Sequence, residues 1–159
     1  MGICAEELRN HVIRPTLEGL GTWNTNAEEL LLATAAQESC MGFHILSEST
    51  YGVYQITAAT HVEVWDQYLV NRPDMASRVR GLASQHMFLE NPHRELTTNL
   101  LYATAIAWFV YERSGQSVPE RQDVQAMAKF WQQHFHQEGD LESFAVNYQM
   151  FVDLTHLAA

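Results

Sequence analysis

Residues 27–56 read AEELLLATAAQESCMGFHILSESTYGVYQI, and they predict a helix, a loop and a short strand. In residues 27–37 almost every position is apolar or a good helix former. Asn24 or Asn26 can cap the start, because a short side-chain oxygen there accepts a free backbone N–H. We expect the rest of the chain to be organised around this unit.

Glu38 falls in the last turn of the predicted helix, before Gly42. Its neighbours three and four residues back, Ala35 and Thr34, lie on the apolar side. Partial burial and the negative helix end both favour the neutral acid, so both should raise its pKa. Such a group suits general acid catalysis. The structural alternative is a helix-end Glu that reaches water or pairs with an Arg, and the residues that follow favour catalysis.

Those residues carry a resemblance to a known family. AAQES at 35–39 is followed by GVYQI at 52–56, ATH at 59–61 and YATA at 102–105. This order resembles the lysozyme-like lytic transglycosylases and goose-type lysozymes, whose usual form is Glu-Ser and then Gly-Leu-Met-Gln-Leu. The residues in these motifs are most similar to those of small phage-borne members of that superfamily. The strong match covers about the first half of the chain.

The resemblance implies a role for Glu38 on peptidoglycan. In the family this Glu protonates the glycosidic oxygen between N-acetylmuramic acid and N-acetylglucosamine, and in a lytic transglycosylase it then acts as base to close a 1,6-anhydro ring. An inverting muramidase instead uses a second carboxylate ~6.5–9.5 Å away. Glu48 is the candidate for that second group, ahead of Asp66. We favour single-carboxylate chemistry, with Glu48 a solvated loop residue.

Five further residues are candidates for binding substrate or supporting the acid. The resemblance implies that Ser39 bonds the sugar N-acetyl group, and that Gln55 orients substrate or the acid from the strand. Tyr54 either forms a sugar platform or packs in the core. His61 either reaches the cleft or caps the core. Tyr102 either aims its hydroxyl at the acid or is an aromatic core residue.

One departure from the family pattern lies late in the chain. The family usually carries Tyr-Asn there, and its Tyr hydroxyl supports the catalytic acid. The corresponding stretch here is FWQQHFH at 130–136, in which Phe135 lacks the hydroxyl and His136 replaces the Asn. Either Tyr102 or His136 compensates, or the site is weakened. The alternative function is therefore a non-catalytic phage virion or tail protein that retains the lysozyme-like fold and binds other virion proteins.

Composition limits the partners. A chain of 159 residues with 47% hydrophobic residues predicts one packed domain over 1–159. The net charge of -10 disfavours nucleic acid and anionic membranes, whereas a neutral glycan does not conflict with it. The longest apolar stretch, 100–110, is too short for membrane insertion. Without a visible signal peptide, we expect synthesis in the host cytoplasm and delivery in a virion or through a holin.

The chain shows no pattern for a metal or cofactor. His134 and His136 do not share a helix face, and we find neither a zinc motif nor a phosphate-binding glycine loop. We therefore expect no cofactor. Cys4 and Cys40 are expected to be free thiols.

The overall pattern predicts a mainly α fold, lysozyme-like in its α+β arrangement: a helical bundle with one short strand or hairpin beside the catalytic helix. The strand is predicted at 52–56, and Pro15 is expected to break or re-start the first helix. The helix at 94–111 is the most apolar and is placed at the bundle centre. The other predicted helices cover 5–13, 16–20, 61–69, 74–86, 121–137 and 141–156.

Overall fold

The computed structural model describes residues 2–153, and it is mainly helical with one short antiparallel hairpin. This confirms the predicted mainly α class. The helices, in chain order, are α1 Ala5–Leu8, α2 Arg14–Leu20, α3 Thr25–Ser39, α4 Ala58–Glu63, α5 Pro73–Leu82, α6 Gln85–Glu90, α7 Glu95–Thr98, α8 Leu100–Glu112, α9 Val124–His134 and α10 Leu141–Phe151.

Helix α3 is the organising helix, and its start is capped as predicted. The Asn24 side chain accepts a hydrogen bond from the Ala27 amide at 2.8 Å. The helix ends at Cys40, whose φ of 50° is left-handed. Most of α3 is buried, and α10 packs along it. An almost fully buried helix is apolar on all sides, which explains why residues 27–37 show no amphipathic stripe.

The first turn of α3 holds a buried ion-pair cluster. Glu28 accepts hydrogen bonds from Arg14 at 2.7 Å and from Arg9 at 3.3 Å. Glu29 accepts from Arg9 at 2.6 Å and from the Tyr148 hydroxyl at 2.8 Å. These pairs tie α3 to the N-terminal helices and to α10, so losing one partner would leave a buried charge uncompensated.

Of the two outcomes expected at Pro15, the structure shows a re-start of the α-helix and not a break. The backbone stays helical from α1 to α2 through a π-helical segment, Arg9–Ile13. Proline has no N–H to donate to the preceding turn, and a widened π turn accommodates that missing bond without ending the helix. Pro15 then occupies the first turn of α2, where its missing donor costs least.

The β element is a hairpin rather than one strand at 52–56. Strand β1, Thr50–Tyr51, pairs antiparallel with β2, Ile56–Thr57, and residues 52–55 form the turn between them. Gly52 has a φ of 80°, and a Cβ placed there would lie 1.8 Å from the Leu96 carbonyl oxygen. Glycine is therefore required both by the turn and by the close approach of α7.

The central helix is shorter than predicted. Residues 94–111 do not form one helix, because Asn99 leaves the helical conformation and caps α8 through the Tyr102 amide. From Tyr102 to Tyr111 every residue of α8 is buried, which confirms the expected position at the centre of the bundle. Asn99 competes with the backbone for hydrogen bonds, so it starts a new helix.

Other predicted boundaries shift by a few residues. The predicted helix 61–69 begins earlier, as α4, and continues through a π-helical segment, Val64–Tyr68, and a short 3₁₀ turn, Leu69–Asn71. The predicted helix 74–86 is divided between α5 and α6. Residues 154–156 of the last predicted helix lie outside the described residues. Within residues 2–153, no helix is long and apolar enough to cross a bilayer.

Candidate active site

A cleft of about 290 Å³ opens at the C-terminal end of α3. The hairpin and the start of α4 form one wall, and α8 with the segment after α9 forms the other. Glu38 lies in this cleft, between the two walls. The other lining residues are Thr50, Gln55, Ile56, Thr57, Thr60, Val110, Phe135, His136 and Gln137.

One carboxylate oxygen of Glu38 contacts two ring nitrogens. Trp131 Nε1 donates to Oε1 at 2.8 Å, and His136 Nδ1 lies 3.1 Å from the same oxygen. The Glu38 side chain is 8% exposed. Both contacts fall on Oε1, so Oε2 is the oxygen that has no hydrogen bond to the described residues and is available to a substrate.

Burial raises the pKa of Glu38 above its usual range. A positive charge on His136 and the hydrogen bonds from Trp131 and His136 act in the opposite direction, since each stabilises the carboxylate. Burial prevails. The structure therefore places an acid with a raised pKa at the predicted position in a solvent-accessible cleft, as general acid chemistry requires.

Trp131 is the residue that sequence reasoning missed. Its ring packs against Phe144 of α10, with centroids 5.2 Å apart, and against Gly139, where a Cβ would lie 2.0 Å from the ring. Because residue 139 is glycine, no Cβ occupies this space, and the Trp131 ring can take the position from which its Nε1 reaches Glu38. The only sequence signal was its place in the stretch 130–136, where it could equally have been a core aromatic.

Of the two residues expected to compensate for Phe135, His136 contacts Glu38 and Tyr102 does not. Phe135 lines the cleft and stacks on Tyr111, with ring centroids 5.1 Å apart. The Tyr111 hydroxyl is 2.7 Å from Thr34 Oγ1 and forms its hydrogen bond there. Phe135 therefore contributes an apolar wall, and the polar support of Glu38 comes from nitrogen donors.

Tyr102 and His61 lie outside the cleft in a separate buried network, which corresponds to the core alternative for each residue and not to the cleft alternative. Trp65 Nε1 donates to the Tyr102 hydroxyl at 2.9 Å, and that hydroxyl lies 2.6 Å from His61 Nε2. The other ring nitrogen of His61, Nδ1, lies 2.9 Å from His93 Nδ1. The network ties α4 to α8 rather than supporting Glu38.

This network predicts acid sensitivity. Burial, and then the charge of His93, lower the pKa of His61 to about 4. The unfolded chain binds that proton near pH 6.5, so the stabilisation is full above pH 6.5 and is lost as the pH falls toward 4. We expect the free energy of unfolding to fall by about 3 kcal/mol across this range because of His61 alone.

The measurement is urea unfolding at several pH values for wild type and His61→Gln. The Gln side chain retains an oxygen that can accept from Tyr102 but does not titrate, so this part of the slope should disappear. His11→Gln is the matched control, since the His11 side chain is 72% exposed. An unchanged slope in His61→Gln would contradict the prediction.

Ser39 and Tyr54 are also removed from substrate contact. Ser39 is 1% exposed, its hydroxyl donates to the Ala35 carbonyl at 3.1 Å, and its oxygen accepts from the Gly42 amide at 2.8 Å. Tyr54 is 1% exposed, with its hydroxyl 2.8 Å from Thr104 Oγ1. Ser39 therefore stabilises the end of α3, and Tyr54 is a core residue rather than a sugar platform.

Gln55 lies in the cleft, but on the hairpin turn and not on a strand. Its φ of 49° is left-handed, and its side-chain nitrogen Nε2 donates to the Gly52 carbonyl at 2.7 Å. Its side-chain oxygen accepts from Thr50 at 2.5 Å. Glu48 and Asp66 are both exposed, and neither lines the cleft. Among the residues that the structure describes, Glu38 is thus the only carboxylate lining it.

Cys4 and Cys40 are both free, as expected.

No protein-family model matches the chain, and neither a curated protein nor a solved structure matches it. The geometry of the cleft and the sequence resemblance therefore carry the functional argument.

Proposed function

We propose that this protein cleaves the glycan strands of peptidoglycan, with Glu38 as a single general acid and base. The observation that carries the proposal is the buried Glu38 carboxyl, held through one oxygen by Trp131 and His136 in an open cleft. The resemblance of residues 35–61 to lytic transglycosylases supports the choice of substrate. We further propose that the protein is phage-encoded and opens the wall locally.

The chemistry starts with transfer of the Glu38 proton to the glycosidic oxygen. The bond to the sugar C1 breaks, and an oxocarbenium-like centre develops. The Glu38 carboxylate that remains is stabilised by N–H donation from Trp131 and His136. It then removes the proton from the sugar's own C6 hydroxyl, whose oxygen bonds to C1 and closes the anhydro ring. The proton returns to Glu38, so the cycle balances without a second carboxylate.

The test is release of muropeptides from purified sacculi, with the products resolved by mass spectrometry. We expect 1,6-anhydro-muramyl ends, because Glu38 is the only carboxylate lining the described cleft. Reducing ends would contradict the single-carboxylate route and indicate hydrolysis. If no muropeptides were released at any pH or protein concentration, cleavage would be excluded, and the non-catalytic virion or tail protein would become the better proposal.

A further inference from the structure

Glu38 and His136 form an unequal pair on the cleft wall. His136 Nδ1 is 3.1 Å from Glu38 Oε1, and the His136 side chain is 51% exposed whereas that of Glu38 is 8% exposed. The imidazole therefore exchanges protons with solvent, while the carboxyl is largely shielded from it. Any charge that His136 acquires lies at hydrogen-bond distance from the carboxyl, where one charge strongly affects the other.

Among the described residues that line the cleft, Glu38 and His136 are the only two with an ionisable side chain. The hairpin and α4 present uncharged side chains to the cleft, and α8 presents Val110. Tyr111 of α8 is buried with its pKa well above the usual value, so it stays neutral. On the α10 side, the neighbouring Gln37 bonds to Asn147, which is also uncharged. Trp131 is a neutral donor to the same oxygen.

We propose that His136, through its contact with Oε1, controls whether Glu38 is protonated or ionised, and that this contact sets the pH range in which the acid can donate its proton. When His136 is charged, it stabilises the ionised form of Glu38. A smaller fraction of Glu38 then carries the proton that the reaction needs. A neutral side chain that still donated N–H to Oε1 would position Glu38 equally well without promoting its ionisation. His136 is thus a positioning residue and also, while its ring is charged, a group that reduces the fraction of Glu38 that carries a proton.

His136→Asn separates these two effects. The Asn Nδ2 group occupies nearly the position of the His Nδ1 and can donate to Oε1, but it carries no charge. We expect Glu38 to keep its proton to higher pH in this variant. Where the wild-type kcat/KM first falls as the pH rises, the variant should then be about tenfold faster at the same pH, and the two profiles should meet again once the wild-type imidazole is neutral. His86→Asn is the matched control, because His86 pairs with Glu90 on the exposed face of α6.

The protonation of Glu38 can also be measured by a method that does not depend on catalytic activity. Carbon-13 NMR of the Glu38 carboxyl in the full-length protein should show its titration midpoint moving upward in His136→Asn and not in His86→Asn. An unchanged midpoint would overturn the inference. The kinetic arm rests on the proposed function, but the NMR arm does not. If NMR shows the shift and sacculi stay intact, the proposed function fails and the coupling stands. If sacculi are cleaved but the titration midpoint and the pH profile of His136→Asn equal those of wild type, the proposed function stands and the coupling fails.

Discussion

Glu38→Gln is expected to lower the rate of glycan cleavage by about three orders of magnitude, within the range that general acid–base catalysis contributes. A Gln side chain has nearly the same shape and retains an oxygen that accepts from Trp131. It has no proton to transfer to the glycosidic oxygen. Because a buried acid is replaced by a neutral amide, the free energy of unfolding should be at least as large as in wild type.

The measurement is the rate of muropeptide release, with urea unfolding as the check on folding. Glu48→Gln is the matched control, because Glu48 is the other carboxylate predicted for the reaction and is exposed in its loop. We expect Glu48→Gln to cleave at the wild-type rate. Retained cleavage in Glu38→Gln would exclude Glu38 as the acid. A loss in Glu48→Gln would instead restore a two-carboxylate mechanism.

Gly52→Ala is expected to reduce the free energy of unfolding by about 4 kcal/mol, at the upper end of single-residue effects. The added methyl would lie 1.8 Å from the Leu96 carbonyl oxygen, which is backbone and cannot rotate away. The residue also has a φ of 80°, where an L side chain is strained. Relief requires the hairpin and α7 to separate, which would also open the wall of the cleft.

The control is Gly81→Ala in α5, where a Cβ would meet nothing within 4 Å. Alanine is a better helix former than glycine, so this variant should gain about 0.5–1 kcal/mol in the same urea experiment. The two substitutions are chemically identical and should have opposite signs. If Gly52→Ala unfolded at the wild-type urea concentration, the close packing of the hairpin on α7 would be wrong.

The position of Glu38 could be predicted because it depends on local sequence. Residues 27–37 favour helix by composition, Asn24 caps it, and Glu38 follows at its end. The short β element after the loop was predicted for the same reason, although β1 precedes the predicted segment and β2 shares only Ile56 with it. Gly52 starts the turn there, since its positive φ interrupts the strand.

The contacts of the site could not be predicted in this way. Trp131 meets Glu38 across 93 residues of sequence, and His61 meets Tyr102 across 41. Trp131 and Tyr102 both lie in helices in which an aromatic side chain is equally suited to the core. Periodicity gives the face of a helix on which a side chain lies, but not the helix opposite that face.

The sequence by itself determined the helical class, the central position of α8 and the placing of an acidic residue at the end of a buried helix. These depend on local propensity, capping and the distribution of apolar residues. The tertiary structure decided which polar groups meet: it joined Trp131 and His136 to Glu38 and put Ser39, Tyr54 and Tyr102 into internal hydrogen bonds. Buried polar groups must find partners, and packing between helices distant in sequence selects those partners.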